Sequence, residues 1–410
     1  MSGAPRIKIG KILGISPYKH KELWHNIDMN LHRNYLVVAM VILTTGCHKY
    51  NTNCRLAENF ERVDTVCYRE PIDTLCAEYI DEVIYVGLNH SEEHIIPEAT
   101  KIEVLDGKIF VFSKRLQKVV AYAFDGGFLY EISHRGKGAQ EYLEIANFTV
   151  DDKTVYLVDN IRHQIVKYAV ADGQYQGRKD IDFVAWDMSW LAEDKFLFTF
   201  LPNNREGRVN MKQPAGSVWE TDSTFSRIIE EYLPYAEDYQ EMVGKNVYFT
   251  RNRNQVVFQS YQHAGYFIFS ANHQPQYIHL ALPESVPSMS RMKYQDVVHN
   301  QYPYLAETPL VTDDYTIFAM GKGGFDEPVL IKKVTKEISK NRESTSYNVL
   351  LSPSFATGNQ FGVYLSDYDF YTGLVADGFP RADERTEETL EKGGACLIVY
   401  SMKPSSKCFK

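Results

Sequence analysis

Apolar residues along this chain gather in short runs separated by polar turns. Lys108-Ile-Phe-Val-Phe-Ser113 is followed by Lys118-Val-Val-Ala-Tyr-Ala123 and then by Asp125-Gly126-Gly127. Shifted by 46 residues, the pattern returns as Thr154-Val-Tyr-Leu-Val-Asp159, Gln164-Ile-Val-Lys-Tyr-Ala169 and Asp172-Gly173. Each unit reads as a strand, a polar turn, a second strand ending in an aromatic, and a Gly turn, which predicts a β-meander.

The aromatic that marks the second of these strands recurs. Tyr122, Tyr168, Trp219 and Phe269 are separated by 46, 51 and 50 residues, with looser copies at Val329-Leu-Ile-Lys332 and Leu397-Ile-Val-Tyr400. Six copies at a blade-sized spacing predict an all-β fold, a six-bladed β-propeller of four-stranded antiparallel blades, because a unit this small cannot cover its own apolar faces. Tandem sandwiches would repeat at about twice that length. A WD propeller is excluded by the single Trp186-Asp187, and a kelch propeller by Gly doublets at 126, 323 and 393 that lack a blade period.

Three segments carry a resemblance to a known family. Val158-Asp159-Asn160-Ile161-Arg162-His163-Gln164-Ile165-Val166-Lys167-Tyr168 resembles an NHL-type blade, in which Asp, Asn and Arg lead into the strand. Arg135-Gly136-Lys137-Gly138-Ala139-Gln140-Glu141-Tyr142 is similar to the Gly-rich inter-blade turn of bacterial six-bladed β-propeller lipoproteins, with Ala139 where Pro is usual. Residues 79–87 with 99–112 resemble the first segment of that family's ring. The resemblance spans residues 72–403 and implies a propeller in the cell envelope more than any activity. It also implies ring closure by an N-terminal strand, so Glu82–Leu88 is expected beside Ala395–Met402, removing open sheet edges.

Composition narrows the function. The 410 residues carry 44 Lys and Arg against 53 Asp and Glu, a net −9. An acidic chain has no cationic excess for phosphates, so nucleic acid is not an expected partner. Tyr35–Leu43 is an apolar run far shorter than the roughly 20 residues a membrane span needs, but suited to the core of a signal peptide. Thr44-Thr45-Gly46-Cys47 then resembles a bacterial lipoprotein signal, with Leu43 one place further from Cys47 than usual. Met29 provides a short basic lead, so residues 1–28 are expected to lie upstream of the true start, 29–46 to be the signal peptide and Cys47 the lipidated residue. Residues 1–46 hold six basic and two acidic side chains, so the mature chain stands near −13. Residues 47–78 then form an N-terminal tether and entry segment, 79–404 the propeller and 405–410 a tail. The remaining five cysteines leave disulfide pairing open and show no zinc spacing.

Candidate chemistry is sparse. His90-Ser91-Glu92-Glu93-His94 matches a zinc-protease pattern but is followed by Pro97 and reads as a charged loop. Gly321-Lys322-Gly323-Gly324 reads as a β-turn rather than an anion cradle, and Asp367 and Asp369 as one face of a wet strand. Asp383–Lys392 reads as an insertion before the last strand, a solvated loop in preference to a short helix. Propeller sites draw one residue per blade, so the expected channel-mouth polar cluster is Asp159, Arg162 and His163, with Arg115 one repeat earlier. Tyr and Trp could form a binding face, with Leu201–Ala215 as a rim loop.

The favoured reading is a non-enzymatic binding or scaffolding module for a protein, peptide or glycan, without cofactor or metal. It is held to the periplasmic face of the outer membrane by its N-terminal lipid alone. The alternative is a metal-dependent hydrolase or lyase at one channel mouth. Metabolic labelling with a fatty acid should mark the wild type and not Cys47→Ser, and the mature protein should begin at Cys47; an intact mass that begins at Met1 would contradict this.

Overall fold

The computed structural model describes residues 60–68, 72–74, 76–89, 96–201, 214–235, 244–283, 294–323, 325–341 and 352–405. All belong to the compact unit that runs from Asn51 onward. Cys47, the signal peptide, His90–His94 and most of Leu201–Ala215 fall outside the described residues.

The sheets follow the repeat. Blade one is built from strands Lys101–Leu105, Lys108–Ser113, Lys118–Ala123 and Phe128–Ile132; blade two from Asn147–Val150, Thr154–Asp159, Gln164–Ala169 and Tyr175–Asp180. Blade three comprises Asp187–Ala192, Lys195–Thr199, Gly216–Thr221 and Ile228–Pro234, and blade four Phe249–Asn252, Gln255–Phe258, Gly265–Ser270 and His273–Ala281. In blade five the inner strand is split into Tyr304–Leu305 and Leu310–Val311 beside Tyr315–Lys322, Phe325–Lys332 and Glu337–Asn341. Blade six joins Phe355–Thr357, Gln360–Leu365 and Ala395–Met402 to the N-terminal strand Ile80–Leu88, which pairs antiparallel with Ala395–Met402 and closes the ring.

The recurrent aromatics all stand on the third strand of their blades. Tyr122, Tyr168, Trp219, Phe269 and Tyr400 are buried there, where one blade packs on the next. Trp219 is fully enclosed, its indole parallel to the Phe198 ring at 6.1 Å and edge-on to Phe183 at 5.3 Å. Aromatics therefore recur at the blade period because each wedge between blades needs a large, rigid filler.

The tether and entry segment contains two strands: Glu61–Cys67 pairs parallel with the outer strand of blade four, and Ile72–Thr74 with that of blade five. Two local expectations are corrected. Asp367 and Asp369 do not share a strand face, because Asp367 caps a helix, Tyr368–Ala376, and accepts from the Phe370 amide at 2.8 Å. Asp383–Lys392 is not a loop: Asp383 caps a second helix, Glu384–Glu391, whose Thr386 and Leu390 are buried against blade six. In both helices an Asp three residues before an orphan amide outweighed the surrounding polar composition.

The inner strands begin at one face of the ring, called the upper face below, and end at the lower face. Between the two, charged side chains fill the axis. Lys101 donates to Phe148 O, Met188 O and Asp187 Oδ1 at 2.9, 3.0 and 3.0 Å, and stands 3.4 Å from Glu103. Asp187 also accepts from the Met188, Tyr248 and Phe249 amides, each at 2.8 Å. Glu103 pairs with Arg251 at 2.7 Å and accepts from Thr149, and Arg251 donates to Val150 O at 2.7 Å. All four charged side chains are about 5 % exposed or less. Two cations and two anions from blades one, three and four thus tie themselves to the backbone of blade two.

Replacing Trp219 by Ala should remove the largest filler between blades and lower unfolding stability by about 3–5 kcal/mol, read as a shift in the urea midpoint; a loss below about 1 kcal/mol would contradict this packing role.

Candidate functional site

The upper mouth opens above Lys101 into a cavity of about 580 Å³. Its wall is drawn from the starts of the inner strands of blades one, four, five and six, where short turns replace sheet pairing. Four charged groups line it: Lys101 at its floor, Lys245 before blade four, Glu307 in the break of blade five's inner strand, and Asp326 at the start of that blade's third strand.

Each is held by local packing. The Lys245 ammonium lies 4.5 Å from the centre of the Tyr261 ring. Tyr261 donates to Ala306 O at 2.9 Å and packs against Tyr304, ring centres 5.7 Å apart. Tyr304 in turn lies on Gly321, where a Cβ would come within 2.1 Å of the ring. Gly321 thus matters for this close approach, and Lys322–Phe325 forms the hairpin turn expected from the sequence. Thr308 bonds back to Val247 O at 3.2 Å, so the break in blade five is pinned to blade four.

The wall also sets the electrostatics. Glu307 keeps contact with solvent, but the concave surroundings strip much of its hydration and push its carboxyl up; Lys245 pulls it down and Asp326 pushes it up again. At the floor, burial pushes the Asp187 carboxyl up while Lys101 and the Phe249 and Tyr248 amides oppose it. Four donors converge on Asp187, so the carboxylate is the form that leaves none unmatched.

The cluster expected from the sequence lies elsewhere. Asp159 is buried and accepts from the Leu143, Ile161 and Arg162 amides at 2.7, 3.1 and 3.1 Å. The Arg162 guanidinium reaches the Gly136, Gly138 and Glu141 carbonyls of the Gly-rich turn. His163 occupies a left-handed turn position at φ 54°. Asp159, Arg162 and His163 are therefore brought together at the turn between two strands and the preceding inter-blade loop. Arg115 instead pairs with Glu98 at 3.1 Å on an exposed surface. None of the four lines the cavity.

The residues that do shape the mouth and axis were passed over. Lys101 and Glu103 alternate with Ile102 and Val104 in a strand, a pattern that usually marks a solvent face. Here that face is the axis. Asp187 stands in a single Trp-Asp pair that carries no repeat, and Lys245 and Glu307 sit in turns without periodicity. Among the described residues no group of three or more His, Cys, Asp or Glu side chains could hold a metal ion.

Glu307 should titrate above the ordinary carboxyl range near about 4.3, as followed by carbon-13 NMR. Lys245→Met should raise its midpoint further and Asp326→Asn lower it; a wild-type midpoint below that range would contradict the electrostatics of this wall.

Comparison with known proteins agrees with this architecture. An exported protein of Bacteroides fragilis NCTC 9343 is similar in structure, at 14 % identity and a TM-score of 0.65, over 83 % of this chain and 99 % of that one. A member of the duf4221 family from Bacteroides vulgatus ATCC 8482 matches at 10 % identity and a TM-score of 0.47, over 79 % and 97 %. A streptogramin B lyase matches at 14 % identity and a TM-score of 0.40, over 78 % and 98 %. The first likeness is one of fold, and the other two are too loose to argue from. No curated protein matches the chain. Residues 60–392 match the family described as Domain of unknown function (DUF4934), and the chain belongs to that family.

Proposed function

We propose that this protein is an exported, lipid-anchored binding module that takes a peptide, glycan or protein segment at its upper mouth. The observation that carries the reading is the cavity itself. It is open and concave, its lining holds two lysines, two carboxylates and two tyrosines, and its floor is closed by the axial ion network. A closed floor suits retention of a ligand at the mouth and not its passage through the ring.

Anchoring at Cys47, on the periplasmic face of the outer membrane, is supported by the apolar run before it. The label of exported protein on the Bacteroides fragilis structure is consistent with the same address. Kinship with NHL-type blades belongs to the proposal too; it is supported by the way Asp159 and Arg162 fasten their turn. The acidic mature chain argues against nucleic acid.

The metal-dependent alternative would need ligands converging from several blades. Glu307, pushed up beside a lysine, is the feature that favours chemistry here. Screening the mature protein against peptide and oligosaccharide libraries separates the two. Binding without turnover, weakened about tenfold or more by Glu307→Gln or Lys245→Met, is expected. Divalent-metal-dependent cleavage of any library member, lost in Glu307→Gln, would overturn the binding reading.

A further inference from the structure

The lower face carries a second feature, on the far side of the axial network. Three cavities of about 610, 400 and 340 Å³ adjoin there. Trp190 and Asn254 line both the first and the second, while Lys195, Ala271 and Asn272 line both the second and the third. Together they form one groove from the axis outward between blades three and four.

Trp190 stands in this groove as a fixed platform. Its backbone amide donates to Thr149 at 3.0 Å, and the Arg251 guanidinium backs its ring at 5.3 Å. Arg251 is itself immobilised by Glu103 and Val150 O. Around the indole the groove offers the amides of Asn254 and Asn272, the carboxylates of Asp152 and Glu193, and Arg253 at its axial end. A rigid indole flanked by short amide and carboxylate groups matches the chemistry of a sugar ring: CH groups on one face and hydroxyls at the edge that both donate and accept. An extended peptide would bind most directly by adding a strand, but the outer strand of blade four is already paired with Glu61–Cys67.

We infer that the lower groove between blades three and four binds a linear oligosaccharide, with Trp190 as the stacking platform. The site is separate from the upper mouth and does not depend on the function proposed there.

Calorimetric titration of the mature protein with maltohexaose, cellohexaose, xylohexaose and hexagalacturonate tests it. At least one should bind. Trp190→Ala should weaken that binding about tenfold or more, Trp190→Phe should keep most of it, and Asn254→Ala and Asn272→Ala should each weaken it. Arg115→Ala, on an exposed surface that lines neither cavity, should leave it unchanged. The inference is overturned if none of the four binds, if both Trp190 variants bind as the wild type does, or if the binding is lost in Glu307→Gln and kept in Trp190→Ala.

Discussion

The rest of this structure depends on four charges that cannot reach water. Lys101, Glu103, Asp187 and Arg251 meet on the axis of the ring. An isolated ion in such a place is costly, and the cost is offset only if every donor and acceptor finds a partner. Blade two meets that condition through its backbone, with Phe148 and Val150 carbonyls and the Val150 amide facing the cluster. The first strand of blade four meets it through the amides that hold Asp187. Registry between blades one to four is thereby coupled to electrostatics: a shift of any of their inner strands along the axis would leave a buried charge without its partner. The same cluster lies between the upper cavity and the lower groove.

How the edges are treated follows a second constraint. A ring of separate sheets leaves outer strands exposed, and unpaired strands invite association. Here the chain closes its last blade with Ile80–Leu88 and lays two more N-terminal strands, parallel, along blades four and five. The two helices inserted into blade six bury Tyr371, Leu374, Thr386 and Leu390 against that closure. Closure therefore rests on residues that are remote in sequence, and the N-terminal segment is part of the fold from Glu61 onward.

This division explains what could be read beforehand. Tyr122, Tyr168, Trp219 and Phe269 betray the blades because every blade needs the same filler in the same place, so a local demand becomes a period. The closing strand was legible only through the family resemblance, which implies that an N-terminal strand completes the last blade, here Ile80–Leu88 beside Ala395–Met402. Asp367 misled because alternation of charge does not distinguish a strand face from a helix cap, and Asp383 because a run of charges does not distinguish a loop from a capped surface helix. Lys101 and Glu103 look like solvent-facing positions; only the closed ring turns that face inward. Asp159 and Arg162 advertised themselves as clustered polar residues, yet their partners are backbone groups of their own turn and of the preceding inter-blade loop. Glu307 and Lys245 lie 62 residues apart and are joined by the break in blade five, which no spacing foretells.

The axial network is tested most directly by a double-mutant cycle on Glu103 and Arg251, read by urea unfolding. The account predicts that Glu103→Leu and Arg251→Met each lower stability by about 3–5 kcal/mol. The double variant should then regain at least about 1 kcal/mol over the sum of the two, because neither buried charge is left alone. Single losses under about 1 kcal/mol that simply add would contradict it, and would mean that the axis is held by apolar packing between blades and not by its charges.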